Sequence, residues 1–208
     1  MDEAKNRAYY SNDLERYFRA NSGRLITKWS NYFEVYDRHF RTFRGKPAVV
    51  LEIGVFQGGS LQMWKDYFGP QVRLIGLDVN PECKQFEDDT TRIFIGDQAD
   101  RAFLRQVREE VGSIDIVIDD GGHFMEQQIT SFQELFPAIA EGGIYLCEDL
   151  HTSYWDAYGG GLHRKGTFIE YSKTLVDRIN AWFIPGRERA RLLELGSKMG
   201  GIHFYPGM

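Results

Sequence analysis

A doubly wound, mainly parallel α/β sheet is the fold class this sequence predicts, and three observations carry it. From residue 47 onward, five short runs rich in β-branched residues (AVVLEIG, VRLIGLD, RIFIGD, IDIVIDD and GIYLCED) alternate with helical segments (SLQMWKDYF, a short PECKQFE, DRAFLRQVREEV and MEQQITSFQELFPAI). The runs are apolar almost throughout rather than at every second position, as strands are when helices cover both faces of a sheet. Four of the five end in acids, at Asp78, Asp97, the Asp119/Asp120 pair and the Glu148/Asp149 pair. Ligands of such sheets bind at the carboxyl ends of the strands, so the acids fall where chemistry is expected.

The elements follow in order. Residues 1–20 and 29–44 carry aromatics at three- and four-residue spacings, Tyr32, Phe33, Tyr36, Phe40 and Phe43 in the second stretch, which predicts amphipathic helices. These form an N-terminal helical cover or lid over 1–46, and 47–208 forms one globular sheet-bearing unit. Between the helices, Asn21, Ser22 and Gly23 favour a turn, so 21–30 reads as a mobile link. After the fifth run comes HTSYWDAYGGGLHRKG, whose glycines 159–161 read as a flexible loop, then a helix around 168–183 and a tail ending KMGGIHFYPGM.

A chain of 208 residues, 42% hydrophobic and 26% charged, suffices for one well-buried domain with appendages. A net charge of −5 with scattered basic residues argues against nucleic acid as a partner. No apolar run approaches the roughly 20 residues that span a bilayer, and MDEAKNRAYY has no signal-peptide core, so no membrane is expected and the predicted address is the cytoplasm. Cys83 and Cys147 have no zinc or disulfide spacing and read as buried, reduced thiols.

In a strand-turn-helix cofactor site, glycines let the backbone approach the ligand and a later strand-end acid binds ribose hydroxyls. Gly54, Gly58 and Gly59 supply the turn, and Asp78 the acid. A dinucleotide GxGxxG frame starting at Gly54 would put Phe56 at its second glycine, which disfavours NAD. The E-x-G-x-x-x-G form of Glu52, Gly54 and Gly58 suits a cofactor without a pyrophosphate. With LEIGVFQGGSL, GLDVN, FIGDQAD, IDDGGH and CEDLHTSYW in view, the chain resembles class I S-adenosylmethionine-dependent methyltransferases, with their Rossmann-like fold. More closely it resembles the metal-dependent sugar O-methyltransferases of the macrolide-sugar and macrocin type, over about residues 21–183. The resemblance implies that Glu52, Gly54, Gly58 and Ser60 frame the methionine part of S-adenosylmethionine, that Asp78 binds its ribose, and that Asp97 and Gln98 flank its adenine. A plain alternative for Asp97 is the N-cap of the helix that follows.

Crowding Asp119, Asp120, Glu148, Asp149 and His123 at adjacent strand ends is costly unless a cation offsets the repulsion. A neutral hydroxyl is a poor nucleophile, and a coordinated divalent cation lowers its pKa so that a nearby histidine can take the proton. All-oxygen ligands point to Mg²⁺ rather than zinc. The resemblance implies Asp120, Glu148 and Asp149 as metal ligands and His123 as general base, whereas the residues alone leave Asp119 and Asp120 equivalent. The expected activity is S-adenosylmethionine- and Mg²⁺-dependent O-methylation of a hydroxyl of a sugar or glycan, a natural-product glycoside or polysaccharide, so that the partner is a small-molecule or oligosaccharide acceptor. A catechol-like methyltransferase and a non-catalytic nucleotide- or metal-binding module are the alternatives. Tyr154 and Trp155 suit ring stacking or their own loop's packing, and Trp64 suits helix-to-sheet packing; the resemblance implies that Lys28 and Trp29, just before the long helix, help close the cofactor pocket, with a structural tryptophan at a helix start as the plain alternative. The family's sheet finishes with a reversed hairpin and this chain stops at IHFYPGM. An exposed sheet edge is therefore expected, and with it a homo-oligomer, a dimer first.

Overall fold

The computed structural model describes residues 11–208, and the N-terminal part of the first expected helix lies outside them. The chain divides into two compact units, Met1–Asp97 and Gln98–Met208. Five strands, β1 (Val49–Ile53), β2 (Arg73–Asp78), β3 (Thr91–Ile95), β4 (Ile114–Asp119) and β5 (Ile139–Cys147), take the order β3-β2-β1-β4-β5 in a parallel sheet flanked by helices.

In the first unit β1 pairs with β2 from Val49↔Arg73 to Ile53↔Leu77, and β2 with β3 from Leu74↔Thr91 to Asp78↔Ile95. Among the described residues, helices α1 (Asp13–Ala20), α2 (Tyr32–Phe40) and α3 (Gly59–Phe68) belong to the same unit. Asn12 caps α1, its side chain accepting from the Glu15 amide at 3.0 Å. The aromatic spacing read from the sequence is the buried face of α2: Tyr32, Phe33, Tyr36 and Phe40 are all inaccessible, and Trp64 of α3 meets Tyr36 edge-on at 5.1 Å. Phe43 belongs instead to a 3-10 turn, Arg41–Phe43, and the PECKQFE segment is a 3-10 turn, Pro81–Phe86, rather than an α-helix.

The segment expected to be a mobile link is built into the first unit. A Cβ on Gly59 would stand 2.2 Å from the Leu25 carbonyl and 2.6 Å from that of Arg24, so residues 24–25 run directly against the start of α3. Ile26 beside them is buried.

In the second unit β4 and β5 pair in parallel, with a register shift between Ile114 and Ile116. Around them lie α4 (Arg101–Val111), α5 (Met125–Leu135), α6 (Phe168–Ile179) and α7 (Glu188–Gly196). Met125, Phe132, Phe136, Cys147, Leu150, Phe168 and Leu175 form its core. Helix α7 was not expected from the sequence. It closes on α6 through Gly196, where a Cβ would meet the Arg178 carbonyl at 2.0 Å.

Of the glycines 159–161, Gly159 is exposed at φ +78°, but Gly160 and Gly161 are packed, contrary to expectation. Gly160 is buried, a Cβ there would lie 2.3 Å from the Thr152 carbonyl, and Gly161 N–H donates to Ser153 O at 2.8 Å. Their role is close approach of two backbones rather than looseness. The final residues fold back in the same way, Leu150 N–H donating to Gly207 O at 2.9 Å. Both cysteines are free and buried, as expected. Among the described residues no helix is long and apolar enough to cross a membrane.

Candidate active site

The glycine turn after β1 is held from below by Asp78. One carboxylate oxygen of Asp78 accepts the Val55 and Phe56 amides at 2.9 Å each, and the other accepts the Asn80 amide at 2.9 Å. Three of its roughly four lone-pair sites are thereby filled, leaving capacity for one further donor such as a ribose hydroxyl. Gly54 (φ +91°) and Gly58 (φ +69°) take backbone conformations open to glycine, and a Cβ on Gly58 would meet the Phe86 ring at 2.8 Å. Phe56 sits between them at φ +50° with its ring 61% exposed. Cys83 donates to Phe56 O at 3.3 Å, and burial, reinforced by Asp78, pushes its thiol up to about 12.

Glu52 and Ser60 turn toward the interior of the first unit. Glu52 is buried and accepts from Ser60 Oγ at 2.7 Å and from Trp64 Nε1 at 2.9 Å. Trp64 thus combines the expected packing role with a hydrogen bond that the sequence did not disclose. Asp97 is exposed after β3, and the α4 cap considered for it is Asp100, which accepts the Ala102 and Phe103 amides at 2.8 and 3.2 Å. Lys28 lies over the Tyr36 ring at 5.8 Å, and Trp29 is largely exposed.

In the second unit Gln98 is buried and its amide is fully engaged. Nε2 donates to Asp119 Oδ1 and Ser131 Oγ, both at 3.1 Å, and Oε1 accepts the Gly122 amide at 2.8 Å. A Cβ on Gly121 would lie 1.9 Å from that Oε1 and one on Gly122 2.3 Å from Gln127 Oε1, so the GG of DDGGH admits the side chains of Gln98 and Gln127. Nothing in the local pattern announced the Gln98 clamp, because its partners lie 21 to 33 residues away.

Asp119 and Asp120, equivalent in the sequence, differ here. Asp119 is buried, accepts from Tyr145 OH at 2.9 Å as well as from Gln98, and burial raises its carboxyl to about 7 against the pull of those two hydrogen bonds. Asp120, His123 and Asp149 instead offer ligand atoms that all lie within 4.8 Å of one another. His123 Nε2 stands 3.8 Å from Asp120 Oδ1 and 3.5 Å from Asp149 Oδ2, and His151 Nδ1 is 4.0 Å from Asp149 Oδ1. Glu148 does not join this group. It is buried, its amide donating to Asp119 O at 2.9 Å and its carbonyl accepting from Gln128 Nε2 at 3.2 Å.

The backbone under the cluster is strained. His123 (φ +60°) and Asp149 (φ +54°) both sit in the left-handed region, at a cost on the order of 1 kcal/mol each. Thr152, which sequence reasoning missed, ties the two together: its hydroxyl lies 3.1 Å from His123 O and 2.9 Å from Asp149 O and shares its single proton between them. Two carboxylates held within 4.8 Å repel by about 3.5 kcal/mol or more at a near-surface dielectric, which a divalent cation would reverse. Hard carboxylate oxygens with one imidazole nitrogen fit Mg²⁺ or Mn²⁺.

The comparisons with known proteins agree with this chemistry. No protein-family model matches the chain. Over 191 residues, 87% of the chain, it is 36% identical to the 8-demethyl-8-alpha-L-rhamnosyl tetracenomycin-C 2'-O-methyltransferase of Streptomyces olivaceus. Over 174 residues it is 41% identical to the demethylmacrocin O-methyltransferase of Streptomyces fradiae, covering 77% of the chain. These alignments take in 50% and 44% of the relatives, so the chain spans about half the length of the curated proteins it matches. Among solved structures, the MycE methyltransferase of the mycinamycin biosynthetic pathway, in complex with Mg and SAH, superposes with a TM-score of 0.79 at 33% identity. That superposition covers 93% of this chain and 51% of MycE. MycE has also been solved with Mg, SAH and mycinamycin VI together.

Proposed function

From a chain whose homologues are sugar O-methyltransferases of macrolide glycosides, matched over about half their length, we propose an S-adenosylmethionine- and Mg²⁺-dependent O-methyltransferase acting on a sugar hydroxyl of a small-molecule glycoside. The observation that carries the reading is the Asp120–His123–Asp149 cluster, three ligand-type side chains gathered on strained backbone at the ends of β4 and β5.

When bound, S-adenosylmethionine supplies the methyl group and Mg²⁺ supplies the positive charge that favours an ionised acceptor hydroxyl. Asp120 and Asp149 would hold the cation. Glu148, buried beside them, would complete the set implied by the resemblance only if its carboxylate turned toward the cluster. His123 Nε2 would be the proton acceptor for the hydroxyl, and the carboxylates 3.8 and 3.5 Å away would stabilise the imidazolium that forms. In the first unit, Gly54, Gly58 and the Asp78-pinned turn would receive the cofactor, with Asp78 on the ribose and Asp97 toward the adenine. Glu52 and Ser60 would shape that turn from beneath, and Gln98, fully engaged with Asp119 and Gly122, would act by fixing the DDGGH turn.

Residues 1–46 serve as a helical cover and 47–208 as the catalytic part in this reading. A cytoplasmic address is supported by two reduced, unpaired cysteines. A homo-oligomer, a dimer first, is supported by edge strands with no further neighbour among the described residues.

The test is calorimetric titration with S-adenosylhomocysteine, with and without Mg²⁺ and with NADH as comparison. Methyl-transfer assays on rhamnosides and on catechol should follow. Tight S-adenosylhomocysteine binding, silent NADH and transfer to the rhamnoside are expected. Absence of S-adenosylhomocysteine binding in both conditions would discard the methyltransferase reading, and transfer to catechol alone would move the acceptor to a small aromatic diol.

A further inference from the structure

The second unit exposes a row of rings leading away from the acid cluster. His151, whose Nδ1 is 4.0 Å from Asp149 Oδ1, packs edge-on against Trp155 at 4.6 Å between centroids. Trp155 meets Tyr158 at 6.1 Å, and Tyr158 meets Phe124 at 5.3 Å. Trp155 is 51% exposed and Phe124 49%, an unfavourable display of aromatic surface unless something covers it.

The display is built into rigid backbone. Trp155 N–H donates to Thr152 O at 3.0 Å, while Trp155 O accepts both the Tyr158 amide at 3.0 Å and the Gly160 amide at 2.9 Å. Gly160 is required there, since a Cβ would stand 2.3 Å from Thr152 O. The same Thr152 ties His123 to Asp149, so one residue fixes both the acid cluster and the turn that presents the indole. A side chain held this firmly and left half bare has the form of a preorganised ligand platform.

We infer that Trp155 is a specificity-determining residue whose indole stacks on the apolar C–H face of the acceptor's sugar ring while a hydroxyl of that ring faces His123 beside Asp120 and Asp149. The inference rests on the sugar O-methyltransferase reading and deepens it. A pyranose carries polar hydroxyls on its rim and an apolar C–H face, and the molecule offers a matching pair of surfaces: carboxylates with an imidazole, then one ring further an exposed indole. An aglycone or second sugar would continue over Tyr158 and Phe124. Tyr154, 50% exposed on the same turn, flanks the platform.

The experiment uses the full chain with S-adenosylhomocysteine and Mg²⁺ and methyl α-L-rhamnopyranoside as probe, read by saturation-transfer NMR and by titration. Saturation should reach the sugar's ring C–H protons most strongly. Trp155→Ala should weaken sugar binding on the order of tenfold or more while leaving S-adenosylhomocysteine affinity and the melting temperature unchanged, and Trp155→Phe should recover most of the loss. Equal sugar affinity in wild type and Trp155→Ala would overturn the inference, as would no sugar binding to the wild type at millimolar concentration. A change in sedimentation on Trp155→Ala at unchanged sugar affinity would also overturn it, assigning the ring to a chain–chain contact. Failure of S-adenosylhomocysteine to bind the wild type would instead remove the parent reading, so the two failures are distinguishable.

Discussion

The glycine turn of the first unit and the acid cluster of the second are built on opposite treatments of the carboxylate. In the first, Glu52 is consumed by Ser60 and Trp64, and Asp78 spends three hydrogen bonds on backbone amides. In the second, Asp119 is consumed in the same way by Gln98 and Tyr145, but Asp120 and Asp149 turn toward each other and toward His123. Acids satisfied by neighbouring donors position a loop, whereas the partly exposed Asp120 and Asp149 face each other within reach of one cation. The backbone marks the same places: of the four non-glycine residues with positive φ among those described, Phe56 lies in the turn and His123 and Asp149 in the cluster, with His163 the fourth. Strain of this kind persists only where surrounding structure holds it, and it concentrates at functional sites.

The largest effects should come from the cluster. Asp120→Asn and Asp149→Asn are expected to bring methyl transfer below detection and to raise the Mg²⁺ concentration needed for any residual rate. His123→Ala should lower kcat by about 10²- to 10⁴-fold with S-adenosylhomocysteine affinity intact. Full activity of His123→Ala would sink the assignment of the base, and wild-type activity of Asp120→Asn would return the choice to Asp119.

On the other side of the comparison, changes in the turn should act through the fold. Gly59→Ala drives a methyl into the Leu25 carbonyl and should cost about 1–3 kcal/mol, read as a fall in melting temperature of about 2–4 °C per kcal/mol at this chain length. A melting temperature equal to wild type would mean that residues 24–25 yield easily, as the sequence suggested. Trp64→Phe and Tyr145→Phe each remove one donor from a buried carboxylate, Glu52 and Asp119, and each should cost about 1–3 kcal/mol. Only Tyr145→Phe should also raise the Mg²⁺ concentration needed for activity, because Asp119 adjoins the cluster, whereas Glu52 lies under the glycine turn of the other unit.

How far the sequence could be read follows the range of the interactions. Strand ends and their acids were legible because an apolar run and its terminal acid are neighbours in the chain, and so was the aromatic face of α2, which repeats at helical spacing. The roles of Asp119 and Asp120 were not separable, since two adjacent residues at a strand end differ only in which way the turn sends them. Gln98, Thr152 and Gly160 escaped for one reason: each is defined by groups that approach from elsewhere in the chain. Gly160 and Gly121 look like looseness in a sequence and are close contacts in the molecule.

The smallest expected effect separates two acids that the sequence left confused, Asp97 and Asp100. Asp100 accepts two first-turn amides of α4, so Asp100→Ala should cost about 1 kcal/mol and leave ligand binding alone. Asp97 is exposed after β3, and among the described residues the N-cap of α4 is Asp100 rather than Asp97, so Asp97→Ala should cost less stability than Asp100→Ala. If its carboxylate faces the adenine, the same variant should weaken S-adenosylhomocysteine binding several-fold by calorimetry. A stability loss in Asp97→Ala as large as that of Asp100→Ala, with unchanged affinity, would reverse the assignment, because it would give Asp97 the positioning role that the geometry gives to Asp100.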